Sequence, residues 1–384
     1  MSSYHIALVP GDNIGKEVTA AARTTLEAAA TAFGLTLEFT TFPWGAQHYL
    51  DTGVVMPEDG PDTLRGFDAI YLGAMGDPAR VPDRVLSWGF TQKVRKALRQ
   101  YVNERPVRLW PGVHSVLANP GEIDMVVVRE NAEGEYTNIG GPLYVEQEDE
   151  LAIQTSVYTR RGIERVVRYA FELARTRRRH VTSISKANAL PFGMVLWDKV
   201  FAQVAEGYPD VSTRRLNVDA AAMFLVNRPA EVDVLVSGNL FGDILSDEAA
   251  AIAGGIGLAP GGNVNPDRSA PSMFEPIHGS APDIAGQGIA NPMAAILAGA
   301  MLLRFLGHAS DGGRRATQAT LAADAVERAV ARLLLDGRVC TPDLGGTAKT
   351  EDVTHAVCEL LAEMGRPPAQ VQPERTTTPI GAVR

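Results

Sequence analysis

Cysteine is scarce: the 384-residue chain holds two, Cys340 and Cys358. Both lie among apolar residues in the last quarter of the chain. That placement argues for buried thiols rather than a disulfide framework or redox pair, and suits a reducing cytoplasm. Positive charge is in deficit, with a formal net charge of -9, so a nucleic-acid or anionic-membrane partner, which would need a basic face, is excluded. Long hydrophobic runs are missing as well. The longest, residues 293–303, is well short of the roughly 20 residues that span a bilayer, and the N-terminus has no basic stretch before an apolar core, so neither an export signal nor a membrane anchor is expected. The seven histidines form no cluster, which removes the usual signature of a zinc site. Small molecules and further copies of the chain remain as partners.

With 45% hydrophobic and 21% charged residues, the chain has ample material for a large core in one α/β unit of two lobes. Residues 5–9 are a short apolar run closed by Pro10-Gly11-Asp12, and residues 16–32 follow as an alanine-rich helical pattern. Strand-like runs recur at 36–42, 69–72, 125–128, 181–184 and 232–237, with helical stretches between most of them. Pro106 marks a break, because proline drives the preceding Arg105 out of helical geometry. Residues 133–150, rich in glycine and acids, read as an extended arm or loop. Residues 365–384 contain four prolines and three consecutive threonines and read as a disordered tail.

The segment Gly11-Asp12-Asn13-Ile14-Gly15 lacks the third glycine of a dinucleotide-binding fingerprint, so it reads either as a cofactor loop or as a tight strand-to-helix turn. Asp243 and Asp247 carry more information. Four residues apart, they share one helix face, which reads either as a solvated face or as a place where a divalent cation with oxygen ligands bridges two charges that otherwise repel. The flanks are apolar and small, a poor setting for unpaired charge. Arg95, Arg105 and Arg129 sit by strand ends or turns, where a guanidinium fork can grip a carboxylate bidentately. The run from Arg175 to Arg179 reads as a solvated cluster.

Together these motifs, with Glu130-Asn131, Gly134-Glu135-Tyr136, Ser185-Lys186-Ala187-Asn188, the residues 239–247 and the residues 275–286, resemble the β-decarboxylating dehydrogenases, the isocitrate/isopropylmalate dehydrogenase family. The resemblance covers residues 4–364, and the arginine intervals, 105 − 95 = 10 and 129 − 105 = 24, match as well. It implies an α/β fold that is not a Rossmann fold: a mixed sheet flanked by helices, in two lobes. Residues 1–100 and 255–364 would form the large lobe. Residues 101–254 would form the small lobe, with dimer contacts and an arm near 137–158. Active sites would be shared across a homodimer. Arg95, Arg105 and Arg129 would hold the carboxylates of a small dicarboxylate substrate. Asp243 and Asp247, with Asp219 of a second copy, would bind Mg²⁺ or Mn²⁺, with K⁺ as a further activator. Tyr136, Lys186 and Asp219 would handle protons.

The same resemblance assigns the cofactor side to Glu275, His278, Gly279, Ser280, Ala281, Asp283, Ile284, Asn291 and Asn188. Asp283 implies NAD over NADP, because an acidic side chain accepts bonds from ribose hydroxyls and repels a 2′-phosphate. Substrate choice is carried by the turn before Arg95, here Trp88, Gly89, Thr91 and Gln92. Isocitrate enzymes have a serine and an asparagine at the positions of Gly89 and Thr91, and isopropylmalate enzymes an apolar pair at Thr91 and Gln92. Trp88-Gly89, Trp44-Gly45 and Tyr101-Val102-Asn103 are closest to the tartrate and D-malate branch. The expected reaction is NAD-dependent oxidative decarboxylation of D-malate, tartrate or both. A 3-isopropylmalate or malate-derivative dehydrogenase is the alternative, and an inactive regulatory subunit is a remote one. A zinc-dependent 4-hydroxythreonine phosphate dehydrogenase of similar fold is disfavoured by the missing histidines.

Overall fold

The computed structural model describes residues 3–308 and 313–365; the tail expected over 365–384 lies outside them but for Gly365. Ten strands form one sheet: β1 (Tyr4–Gly11), β2 (Leu37–Thr41), β3 (Ala69–Ala74), β4 (Val102–Arg108), β5 (Asp124–Glu130), β8 (His180–Ser185), β9 (Ser212–Asn217), β10 (Val234–Ser237), β11 (Pro260–Val264) and β12 (Ser272–Pro276). Two more, β6 (Gly134–Leu143) and β7 (Leu151–Val157), pair separately as a ribbon. The order in the large sheet is β2-β1-β3-β12-β11-β4-β5-β10-β8-β9. Its outer quartets, β2-β1-β3-β12 and β5-β10-β8-β9, are each parallel. Between them β11 and β4 form an antiparallel seam. The mixed α/β sheet agrees with the fold expected from sequence.

Each parallel quartet is covered on both faces, as parallel strands require. Ile6, Leu8 and Tyr71 point into one core with the helices Ile14–Phe33, Met293–Gly307 and Arg314–Asp336, while Ala7, Val9 and Ile70 face a second containing Trp44 and Phe90. In the other quartet Val126, Val128 and Val234 face Trp197 and Phe171, and Val127 and Leu235 face the helix Asn239–Ile252. Alternate residues of one strand thus serve opposite cores.

Three expectations change, and the extended arm takes a defined form. Pro106 is no break: it lies within β4 opposite Val126. Val126 sends its own amide to Asp233 on the far side, so this is a non-hydrogen-bonded pair and the missing N–H of Pro106 points toward β11, whose pairing stops at Glu104. The arm over 133–150 is largely the β6–β7 ribbon, with Ile139, Leu143, Leu151 and Ile153 exposed. Within the run Arg175 to Arg179, Arg177 donates to Asp124 and to the buried Asp233 at 2.8 Å, so it clamps a strand rather than facing solvent alone. Cys340 and Cys358 are free but only half-buried.

Candidate functional site

The glycine segment after β1 is a tight turn packed on the sheet. Gly11 has φ +72°, and a Cβ there would lie 2.0 Å from the Ala74 carbonyl oxygen, so only glycine fits. Asp12 is buried in that turn, accepting from the amides of Ala46 (2.8 Å) and Gly76 (3.1 Å). Its role here is structural.

The chemistry gathers at the seam. β10 feeds the helix Asn239–Ile252, which sets Asp243 and Asp247 one turn apart toward the ends of β4 and β5. Gly242 permits the approach, because a Cβ there would sit 2.8 Å from the Arg129 Cβ. Arg105 on β4 forks onto both acids, Nη2 to Asp243 at 3.1 Å and Nη1 to Asp247 at 3.2 Å, while its Nε donates to Asn103 at 2.6 Å and Nη1 also to Ser246 at 2.6 Å. Arg129 on β5 pairs with Asp243 and donates through Nε to Asn239 at 2.8 Å. The Tyr136 hydroxyl donates to Asp243 at 3.0 Å, and its ring lies under the Arg129 guanidinium at 5.3 Å. Arg95, from the short helix Gln92–Ala97, donates to Glu275 on β12 at 3.0 Å. Arg95, Arg105 and Arg129 have side chains 8%, 8% and 2% exposed, so these are built positions and not surface arginines.

Burial opposes ionisation of Asp243, but Arg129 and Arg105 prevail and hold it below the usual carboxylate range. Asp247 goes the other way: burial raises it, with Arg105 opposing. Burial and then Asp243 raise the Tyr136 phenol, which therefore keeps its proton at neutral pH. Burial and the neighbouring Arg105 press Arg129 down while Asp243 opposes; the guanidinium stays charged.

Lys186 and Asp219 form a separate pair at 2.5 Å, and this contact lowers the Asp219 carboxyl. Neither is hydrogen-bonded or ion-paired to the arginine cluster among the described residues, and no group of three metal-ligating acids or histidines occurs among them. Asp219 therefore does not join Asp243 and Asp247 within one chain.

The expected cofactor residues lie in or after β12, apart from Asn188. Glu275 is engaged by Arg95 and by Asn263 at 2.6 Å. His278 Nδ1 contacts the Gly279 carbonyl at 2.9 Å, its Nε2 is buried without a partner, and burial lowers its pKa. Gly279 has open space on its Cβ side. Ser280 is buried and accepts from the Ile14 amide at 3.1 Å, Ala281 has φ +38°, Asp283 is exposed, and Ile284 packs on the core. Asn291 donates to Asp343 at 2.9 Å. Glu17 and Thr350, not foreseen, pin the loop: the Gly286 amide donates to Glu17 at 2.5 Å, and the Thr350 amide donates to Gly288 at 2.9 Å. Asn188 is exposed beyond β8.

In the turn before Arg95, Gln92 is buried with its Oε1 unpartnered among the described residues, and Phe90 fills the core beside Trp44. Trp88 lies 4.7 Å from the Lys96 ammonium, which donates to the Tyr136 carbonyl at 3.0 Å. Lys96, Ser246 and the buried asparagines Asn103, Asn131 and Asn263 went unread in the sequence. Asparagines inside apolar strands carry no periodic signal; Asn103, Asn131 and Ser246 lay within quoted motifs but were given no role, and Asn263 and Lys96 lay in none.

Residues 5–357 match the model of the isocitrate/isopropylmalate dehydrogenase family. The chain belongs to that family. Among its relatives are the tartrate dehydrogenase/decarboxylase of Pseudomonas putida, 48% identical over 94% of this chain and 99% of that protein, and the D-malate dehydrogenase (decarboxylating) of Escherichia coli strain K12, 46% identical over the same shares. The solved isocitrate dehydrogenase of Methylococcus capsulatus superposes with a TM-score of 0.83 at 36% identity, over 94% of this chain and 99% of that one. The motifs singled out from sequence all lie within the matched residues 5–357. Among the described residues no helix is long and apolar enough to cross a membrane.

Proposed function

We propose that the chain is a cytoplasmic, NAD-dependent enzyme that needs Mg²⁺ or Mn²⁺ and oxidatively decarboxylates a small 2-hydroxy dicarboxylic acid, D-malate or tartrate, as a homodimer. The observation that carries this reading is the convergence of two buried arginines, Arg105 and Arg129, and a protonated tyrosine on Asp243, within a chain whose relatives bear the names tartrate and D-malate dehydrogenase.

Asp243 and Asp247 suit a hard divalent cation: both stand on one face of the helix Asn239–Ile252 and both offer only oxygen, and Mg²⁺ would be held by them together with water and a third carboxylate. Asp219 would supply that third group from a second copy. The half-exposed apolar side chains of the β6–β7 ribbon give such a copy a surface to cover. When bound, the cation would stabilise negative charge on oxygen and NAD would accept the hydride. The arginines would fix the two carboxylates, trading their contacts with Asp243, Asp247 and Glu275 for substrate oxygens. Lys186 of a second copy would take the C2 hydroxyl proton as hydride leaves C2. The C3 carboxylate would then depart as CO₂, its bonding electrons forming the enolate double bond, and Tyr136 would return a proton to C3. Asp283 favours NAD. The same reading divides the chain into residues 1–100 with 255–364 and residues 101–254, meeting at the seam.

In the turn before Arg95, a buried amide with a free Oε1 on Gln92 is a poor lining for an isopropyl group, and Gly89 and Thr91 lack the serine and asparagine for a third carboxylate. Three carbons against an unpaired amide forfeit about 1–3 kcal/mol. NADH formation on a substrate panel should therefore give D-malate or tartrate a kcat/KM at least about tenfold above isopropylmalate and isocitrate. Equal turnover of isopropylmalate would refute the specificity assigned to this turn.

A further inference from the structure

Asn263, fully buried in β11, is the middle of an unbroken polar chain across the seam. Its Oδ1 accepts from Asn103 Nδ2 and from Asn131 Nδ2, both at 2.9 Å, and its Nδ2 donates to Glu275 at 2.6 Å. Glu275 receives Arg95 at 3.0 Å, and Asn103 Oδ1 receives Arg105 Nε at 2.6 Å. Arginine can only donate. The Asn103 oxygen must therefore face Arg105, its amide nitrogen must face Asn263, and the Asn263 oxygen is fixed in turn, which leaves the Asn263 nitrogen for the acceptor-only Glu275. No amide in the series can flip without leaving a buried group unpaired. One side chain thereby sets two guanidiniums carried on separate elements, the helix Gln92–Ala97 and β4.

We infer that Asn263 is a positioning residue that holds Arg95, through Glu275, and Arg105, through Asn103, at the spacing a dicarboxylate requires. The inference rests on the proposed role of these arginines as carboxylate clamps. It predicts an affinity effect, since both guanidiniums would bind the carboxylates in ground and transition states alike.

The full-length protein and its Asn263→Ala, Asn103→Ala and doubly substituted variants are titrated calorimetrically with D-malate and with oxalate as a general dianion, and D-malate oxidation is measured in parallel. Asn263→Ala should weaken both ligands about tenfold or more and raise the KM for D-malate as much, with kcat within about threefold. The double variant should be no more than about threefold worse than Asn263→Ala, because the two act in one series. Unchanged affinity in Asn263→Ala, or additive losses in the double variant, overturns the inference. Should Asn263→Ala fail to fold, Asn263→Leu keeps the branched shape of the side chain and removes all three of its hydrogen bonds; it should weaken oxalate about threefold or more, and wild-type affinity in it would also overturn the inference. If the natural protein oxidises neither D-malate nor tartrate, the functional reading fails separately, and the oxalate titrations still decide the role of Asn263.

Discussion

Replacing Asp243 by asparagine removes the only carboxylate paired with Arg129 among the described residues and one of two paired with Arg105. Asparagine keeps one oxygen for the guanidiniums and turns its amide to the Tyr136 hydroxyl, which can accept, so the loss is chiefly the charge between two buried cations. Breaking a buried pair costs about 3–5 kcal/mol; because Asp243 is 34% exposed, the lower end applies after discounting for solvent, about 2–3 kcal/mol. Unfolding entropy of about 2.1 cal/mol/K per residue over 384 residues turns this into a fall in Tm of roughly 3 °C. Scanning fluorimetry of the ligand-free protein measures it. Oxalate or D-malate should recover part of the loss, because an added carboxylate takes the vacated place and binds only the folded state. An Asp243→Asn protein that melts within 1 °C of the natural one, or above it, would refute the charge balance drawn for this cluster.

Glu130 is buried at the end of β5, and burial pushes its carboxyl up to about 7, against the hydrogen bonds from the Glu133 and Ala132 amides. A raised carboxyl means that the folded state holds a proton the unfolded chain has lost, so stability should fall as pH rises from about 4.5 to 7. Relative to Glu130→Gln, the natural protein should lose on the order of 2–3 kcal/mol across that window in denaturant titrations; parallel pH profiles would contradict the burial argument. Asp283→Lys should narrow the preference for NAD over NADP, read as the ratio of the two kcat/KM values. A native preference for NADP would remove the basis for that substitution.

Where local pattern and tertiary packing agree, the fold was legible. The apolar runs at 69–72 and 125–128 are buried on both sides in parallel quartets, so hydrophobicity alone marked β3 and β5. The spacing of Asp243 and Asp247 became one helix face directed at Arg105. The seam was harder to see. β4 carries Asn103, Arg105 and Pro106, β11 begins Pro260-Gly261-Gly262, and neither reads as a strand, because polar side chains there satisfy one another instead of facing an apolar core. Arg177 looked solvated because its partners Asp124 and Asp233 are distant in sequence and meet only when β5 and β10 pair. For the same reason the asparagine series ending at Arg95 and Arg105 was invisible: apart from the Asn103–Arg105 bond within β4, each bond joins residues of different elements.

The most direct test follows NADH and CO₂ together from D-malate and from tartrate, with Mg²⁺ or Mn²⁺ and then with excess chelator. The account predicts equal amounts of both products from at least one of the two acids and loss of both signals on chelation. NADH without CO₂, or turnover undiminished by the chelator, would contradict it.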